Sequence, residues 1–128
     1  MTIVLSFDID GTLVDGDPPG PITWEMVQRA KDLGFIIGSC SDRGLSAQKS
    51  IWEKANIEPH FTSPKHKLEE VKEKFPADKY FHIGDRALDE QFARAAGFDF
   101  WWEDDCLNEP WLESDPKGSE PFQKRDGR

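Results

Sequence analysis

The sequence predicts an α/β protein: a three-layer α/β/α sandwich built on an open, Rossmann-like parallel sheet of five strands. Three observations predict it. Short apolar runs alternate with segments of helical periodicity from Ile3 to Trp102. The first run, Ile3 to Phe7, is almost continuously apolar, as suits a strand covered on both faces rather than one with a wet side. A chain of 128 residues has the size for one core and no second catalytic domain.

After that strand, Val14 to Thr23 holds three prolines and two glycines, which exclude regular structure and predict a loop over the strand end. Thr23 is placed to cap a helix that turns Met26, Val27, Ala30 and Leu33 to one face and stops at Gly34. Phe35 to Cys40 reads as a second buried strand, completing a parallel crossover unit. The pattern recurs. Arg43 to Asn56 is helical with Leu45, Trp52 and Ala55 on one face, and His60 to Thr62 supplies a short third strand. Ser63 then reads as a cap and Pro64 as the first residue of a third helix carrying Leu68, Val71 and Phe75 inward. Tyr80 to Ile83, Leu88 to Ala96 and Phe98 to Trp102 read as strand, helix and strand. Alternation sends Trp101 and Trp102 to opposite faces, one into the core and the other beneath the segment bearing Trp111. Residues 1–113 are expected to form the domain, and the polar, proline- and glycine-rich stretch 114–128 a flexible tail.

Composition excludes several classes. Acidic residues outnumber basic ones 25 to 16, a net charge of −9, and the basic residues are scattered. That disfavours general binding to a nucleic acid backbone and leaves a phosphorylated end as a minority case. Two cysteines, Cys40 and Cys106, without a CxxC pair predict a reducing, cytoplasmic setting. No apolar stretch is long enough to span a bilayer, and no export signal is expected.

The polar residues are concentrated where strands should end. Asp8 and Asp10 close the first strand, on one face and roughly 6–7 Å apart, and Gly11 lets the backbone approach a ligand. Ser41 and Asp42 close the second, Lys65, His66 and Lys67 open the third helix, and Asp85 and Asp89 follow the fourth strand. In a parallel sheet all of these meet at one edge, where ligands bind. Asp8, Asp10 and Asp85 together need a cation, because crowded carboxylates resist joint ionisation. Hard oxygen donors without a histidine or cysteine set suit Mg2+ rather than zinc. Asp89, one helical turn after Asp85, suits a carboxylate that holds a metal-bound water. Ser41 can donate to an anionic oxygen, and a lysine can neutralise it. Arg43, Arg86 and the three histidines are expected to be solvated, capping or structural.

With those residues in view, the stretch from Ile3 to about Trp102 resembles the haloacid dehalogenase superfamily of aspartate-nucleophile phosphohydrolases, whose four motifs appear in order as FDIDGTL, CSDR, PKHKL and GDRALD. The resemblance implies a magnesium-dependent phosphatase acting on a phosphomonoester. Asp8 would be the nucleophile that forms an aspartyl phosphate, and Asp10 the acid and then base. Magnesium would be held by Asp8, Asp85 and the Asp10 carbonyl, and Ser41, Asp42, Gly11 and a lysine would surround the phosphoryl group. Lys67, just before core-facing Leu68, is placed there ahead of Lys65. The second aspartate favours phosphoryl transfer over dehalogenation.

Cap domains of the family sit between the first three motifs. Here Asp10 and Ser41 are 31 positions apart, and Ser41 and Lys67 are 26 apart, intervals already filled by ordinary elements. The expectation is a capless, open site for a bulky or macromolecular phosphorylated substrate, or one closed by another subunit. The competing readings are a weakly active phosphate-sensing or phospho-acceptor module and a polynucleotide-end phosphatase.

Overall fold

The apolar run at the start of the chain becomes β1 (Ile3–Phe7), the central strand, with every residue buried. A computed structural model describes residues 1–114. After β1 come α1 (Trp24–Asp32), β2 (Ile36–Ser41), α2 (Leu45–Ala55), β3 (Phe61–Pro64), α3 (Leu68–Lys74), β4 (Lys79–Gly84), α4 (Ala87–Ala95) and β5 (Asp99–Trp102). Tighter 3-10 turns span Lys65–Lys67, Glu103–Cys106 and Pro110–Ser114. The five strands pair in parallel in the order β3-β2-β1-β4-β5. The chain therefore moves outward from β1 to one edge and returns to add β4 on its other side. The carboxyl end of β1 lies at that reversal, the usual place for a ligand in an open parallel sheet.

Strand alternation divides the core in two. Ile3, Leu5 and Phe7 join Val27 and Ala30 of α1 and Trp52 of α2 on one face, while Val4 joins Leu68 and Val71 of α3 and Ala93 of α4 on the other. Each such large apolar side chain removed from water is worth about 1.5–3 kcal/mol, so covering both faces holds β1 firmly. Thr23 caps α1 as expected, its Oγ1 accepting from the Met26 N–H at 3.3 Å. Trp111 in the last 3-10 turn is fully buried, edge-on to Phe7 with ring centroids 5.8 Å apart.

Three local expectations change. β3 does not stop at Thr62 but continues through Ser63 and Pro64, which pair with Cys40 and Ser41. A proline fits there because β3 is an edge strand, where a missing N–H breaks no ladder. Leu45 is 44% exposed, since it is the first residue of α2 and lies beyond the layer that Gln48 and Trp52 cover. Trp101 stacks on Phe81 at 4.2 Å and also meets Trp111, so it takes both roles divided between the tryptophans; Trp102 is on the other face, edge-on to Phe100 and half-exposed. The expected tail falls on residues 115–128, outside the described residues, apart from Ser114, which ends the last 3-10 turn. Among the described residues no helix is long and apolar enough to cross a membrane.

Candidate active site

Asp8 is the first residue past β1, and its N–H still bonds to the Ile83 carbonyl at 2.9 Å, extending the ladder into the site. Its carboxylate faces the α3 and α4 side, where it is buried. Burial, and then the neighbouring Asp89 charge, push the Asp8 carboxyl up to about 8; the Lys65 ammonium pulls it partly back. Lys65 is itself only 3% exposed, with Nζ 3.0 Å from Asp89 Oδ1, 3.5 Å from Asp8 Oδ1 and 3.8 Å from Asp42 Oδ2. Burial opposes its charge, but the carboxylates of Asp8 and Asp89 more than compensate, so it stays protonated.

The lysine beside Asp8 is thus Lys65 and not Lys67, whose side chain is exposed. The reason is the longer β3. Lys65 is the first residue after a strand that ends at the sheet's carboxyl edge, whereas Lys67 has passed through the 3-10 turn to the outer start of α3.

Asp8, Asp85 and Asp89 bring carboxylate oxygens within 4.8 Å of one another. Asp85 Oδ1 is buried and has no hydrogen-bond partner. An orphaned carboxylate oxygen beside a carboxyl already driven toward neutrality is a cluster short of positive charge, and its all-oxygen donor set fits a hard divalent cation such as Mg2+. Gly11 preserves the cluster. Its φ is +77° and a Cβ there would collide with the Asp85 carboxylate. Asp89 is fully engaged: Oδ1 receives His82 Nε2 and Lys65 Nζ, both at 3.0 Å, and Oδ2 receives the Arg86 N–H at 3.2 Å. Burial raises the cost of its charge, yet the His82 hydrogen bond and the Lys65 charge hold its carboxyl below the usual range.

Asp10 stands apart from this cluster. Its Oδ1 takes the Asp17 N–H at 2.8 Å and Arg43 Nη2 at 2.7 Å, and both oxygens take Arg43 Nε at 3.1 Å. The Arg43 hydrogen bonds keep the Asp10 carboxyl below its ordinary value despite partial burial. Ser41 is buried at the end of β2, where its Oγ accepts the Arg43 N–H at 3.1 Å. The Asp42 side chain is 69% exposed and reaches the site only through Lys65.

Behind these residues, Gln48 ties the strand ends together. Its Nε2 donates to the carbonyls of Arg43 and Ser63 at 2.9 and 3.0 Å, and its Oε1 accepts from Ser39 Oγ at 2.6 Å. Neither Arg43 nor His82 was expected to take part in the site. A signal existed for both: Arg43 adjoins the Ser41–Asp42 pair, and His82 is two residues before Gly84, on the inward face of an apolar strand. A separate cavity of about 640 Å3 between the end of α2 and β3 is lined by Trp52, Asn56, His60 and Phe61 among others, and by no member of the acidic cluster.

No family model and no curated protein sequence matches this chain. A solved structure is similar: the core domain of a candidate phosphoglycolate phosphatase from Streptococcus pneumoniae TIGR4, at 21% identity, a TM-score of 0.60 and coverage of 80% of each chain. At that identity the likeness concerns the backbone arrangement. The chain shares with that core domain a Rossmann-like α/β fold, a five-stranded parallel sheet with helices.

Proposed function

We propose that this protein is a magnesium-dependent phosphatase that hydrolyses a phosphomonoester through an aspartyl phosphate on Asp8. The observation that carries this reading is the pairing of buried Asp8 with a buried lysine, Lys65, in an acidic cluster where Asp85 Oδ1 is buried without a hydrogen-bond partner. Asp8 and Asp85 are the residues to hold the metal, with Asp89 bracing them. When bound, Mg2+ supplies the positive charge that lets Asp8 ionise at neutral pH and offsets charge on the phosphoryl oxygens.

In the first step an Asp8 oxygen bonds to phosphorus as the ester P–O bond breaks, and the leaving oxygen takes a proton from Asp10. Water then attacks the aspartyl phosphate and yields its proton to Asp10, freeing inorganic phosphate and the Asp8 carboxylate. Lys65 and Ser41 suit the phosphoryl oxygens, the lysine by charge and the serine by its hydroxyl. The grip of Arg43 keeps Asp10 ionised, which fits the second step; donating a proton in the first requires Arg43 to release it.

The proposed substrate is bulky. Among the described residues, each interval between strands holds at most one α-helix with its loops and turns, the longest loop being residues 8–23 before α1. Exposed apolar side chains also come from the segments that follow four strand ends: Val14 after β1, Leu45 after β2, Leu88 after β4 and Trp102 closing β5. Such side chains favour a leaving group with an apolar surface of its own. Phosphate release from an aryl phosphate, with and without Mg2+, tests the reading in wild type and Asp8→Asn. Metal-dependent turnover lost in the variant supports it; full activity without Asp8 overturns it.

A further inference from the structure

Ser6, His82 and Asp89 form a buried line behind Asp8. Ser6 lies two residues before Asp8 on the same side of β1, and the β1–β4 register pairs it with His82. All three are fully buried. Ser6 Oγ is 2.8 Å from His82 Nδ1, and His82 Nε2 is 3.0 Å from Asp89 Oδ1, the oxygen that Lys65 Nζ also reaches at 3.0 Å.

Two cations on one buried carboxylate oxygen would repel strongly at low dielectric, and Lys65 is already one. His82, fully buried on the oxygen that it shares with Lys65, is therefore neutral. A neutral ring has a single N–H. Ionised Asp89 can only accept, so Nε2 carries the proton and Nδ1 accepts the Ser6 hydroxyl.

We propose that His82 is a positioning residue for phosphoryl transfer: its Nε2–H, oriented by Ser6, pins Asp89 so that Lys65 stays shared with Asp8 and the turn bearing Asp85 stays closed. The consequence follows from charge. Left to Asp89 alone, Lys65 would form a tight pair with it and withdraw from Asp8 and the phosphoryl group. His82 occupies part of that carboxylate without adding charge. The Arg86 N–H on the other oxygen then fixes the plane of Asp89 and, through it, the turn that carries Asp85.

Glutamine places an amide N–H near the position of Nε2, and asparagine nearer Nδ1, so the two variants separate the function from the mere filling of space. With an aryl phosphate and saturating Mg2+, His82→Asn and His82→Leu are expected to lower kcat by about 10–100-fold with little change in KM, and His82→Gln to recover most of it. Thermal melting of each variant is measured alongside. Equal losses of activity in Gln and Asn, or activity that merely tracks stability, overturn the proposal. Nitrogen-15 NMR of the wild-type imidazole gives a readout without turnover: the Nε2–H neutral form is expected at neutral pH, and either the Nδ1–H form or the imidazolium overturns the proposal. The kinetic arm rests on the phosphatase reading. Were wild type to release no phosphate, that reading alone would fail, and the NMR result would still decide the place of His82.

Discussion

The Arg43 guanidinium grips the Asp10 carboxylate through two nitrogens, Nη2 at 2.7 Å and Nε at 3.1 Å, the side-on pairing in which an arginine is most selective. Asp10 is thereby turned away from the cluster around Asp8. Replacing Arg43 by methionine should return the Asp10 carboxyl toward the ordinary range near 4 and move the acid limb of the pH–rate profile upward. The stability effect has a fixed sign. A depressed carboxyl pKa stabilises the fold above the unfolded value and is lost as pH falls through the folded one. The pair is partly exposed, so wild type should exceed Arg43→Met by about 1 kcal/mol or less at pH 7, with the gap closing below about pH 4. Chemical denaturation at both pH values measures it.

Lys65→Met and Lys67→Met should separate cleanly. Lys65 is buried between carboxylates and Lys67 is exposed. Losing the first is expected to reduce kcat/KM by about 100-fold or more, in the range for deleting a group that stabilises developing charge, while losing the second leaves the rate within about twofold. The reverse result would restore Lys67 to the site.

Asp8→Asn should abolish turnover and stabilise the metal-free protein. A native carboxyl raised to about 8 is protonated while its unfolded counterpart is ionised, so it costs stability progressively from about pH 4 to pH 8. At pH 8 without metal, the variant is expected to gain on the order of 1 kcal/mol or more, several degrees in Tm. Magnesium should raise the Tm of wild type and narrow the gap, because it relieves the same repulsion. A variant that melts below wild type in EDTA would contradict this account.

Gly11→Ala combines a left-handed backbone with a collision at Asp85. The backbone alone costs about 1–2 kcal/mol, and displacing Asp85 should weaken magnesium activation. Melting and a magnesium titration of activity read the two effects separately. An unchanged titration would mean that Asp85 holds no metal.

Gln48→Leu keeps the bulk but removes the side-chain donor to the Ser63 and Arg43 carbonyls and the acceptor for the Ser39 hydroxyl, whose oxygen still accepts from Trp52 Nε1 at 3.0 Å. A stranded buried polar group costs about 1–3 kcal/mol, so a loss of about 2 kcal/mol or more is expected. Denaturant unfolding checks it, and a neutral result would show that the network contributes nothing net.

Much of the fold was legible because local pattern and tertiary role agree in it. β1 runs from Ile3 to Phe7 as its apolar run implies, and α1 begins after Thr23 because a hydroxyl cap needs only its own first turn. Errors arose where a residue serves two grammars. Ser63–Pro64 reads as a helix start, yet pairing with Cys40 and Ser41 draws both into β3, and that extension decides which lysine faces Asp8. Leu45 matches the helical period but sits past the edge of the layer it was expected to cover.

By itself, the order of residues determined the alternation of strands and helices, and hence that Asp8, Ser41, the lysine-bearing stretch Lys65–Lys67 and Asp85 gather at one edge of a parallel sheet. Those are consequences of periodicity and of residues adjacent in the chain. Only the tertiary structure decided the partners: Lys65 for Asp8, Arg43 for Asp10, and His82 with Ser6 behind Asp89. Each of these pairs joins residues from different elements, and hydrogen bonds and charge interactions depend on distances of a few ångströms. Only the packing of strand against strand sets those distances.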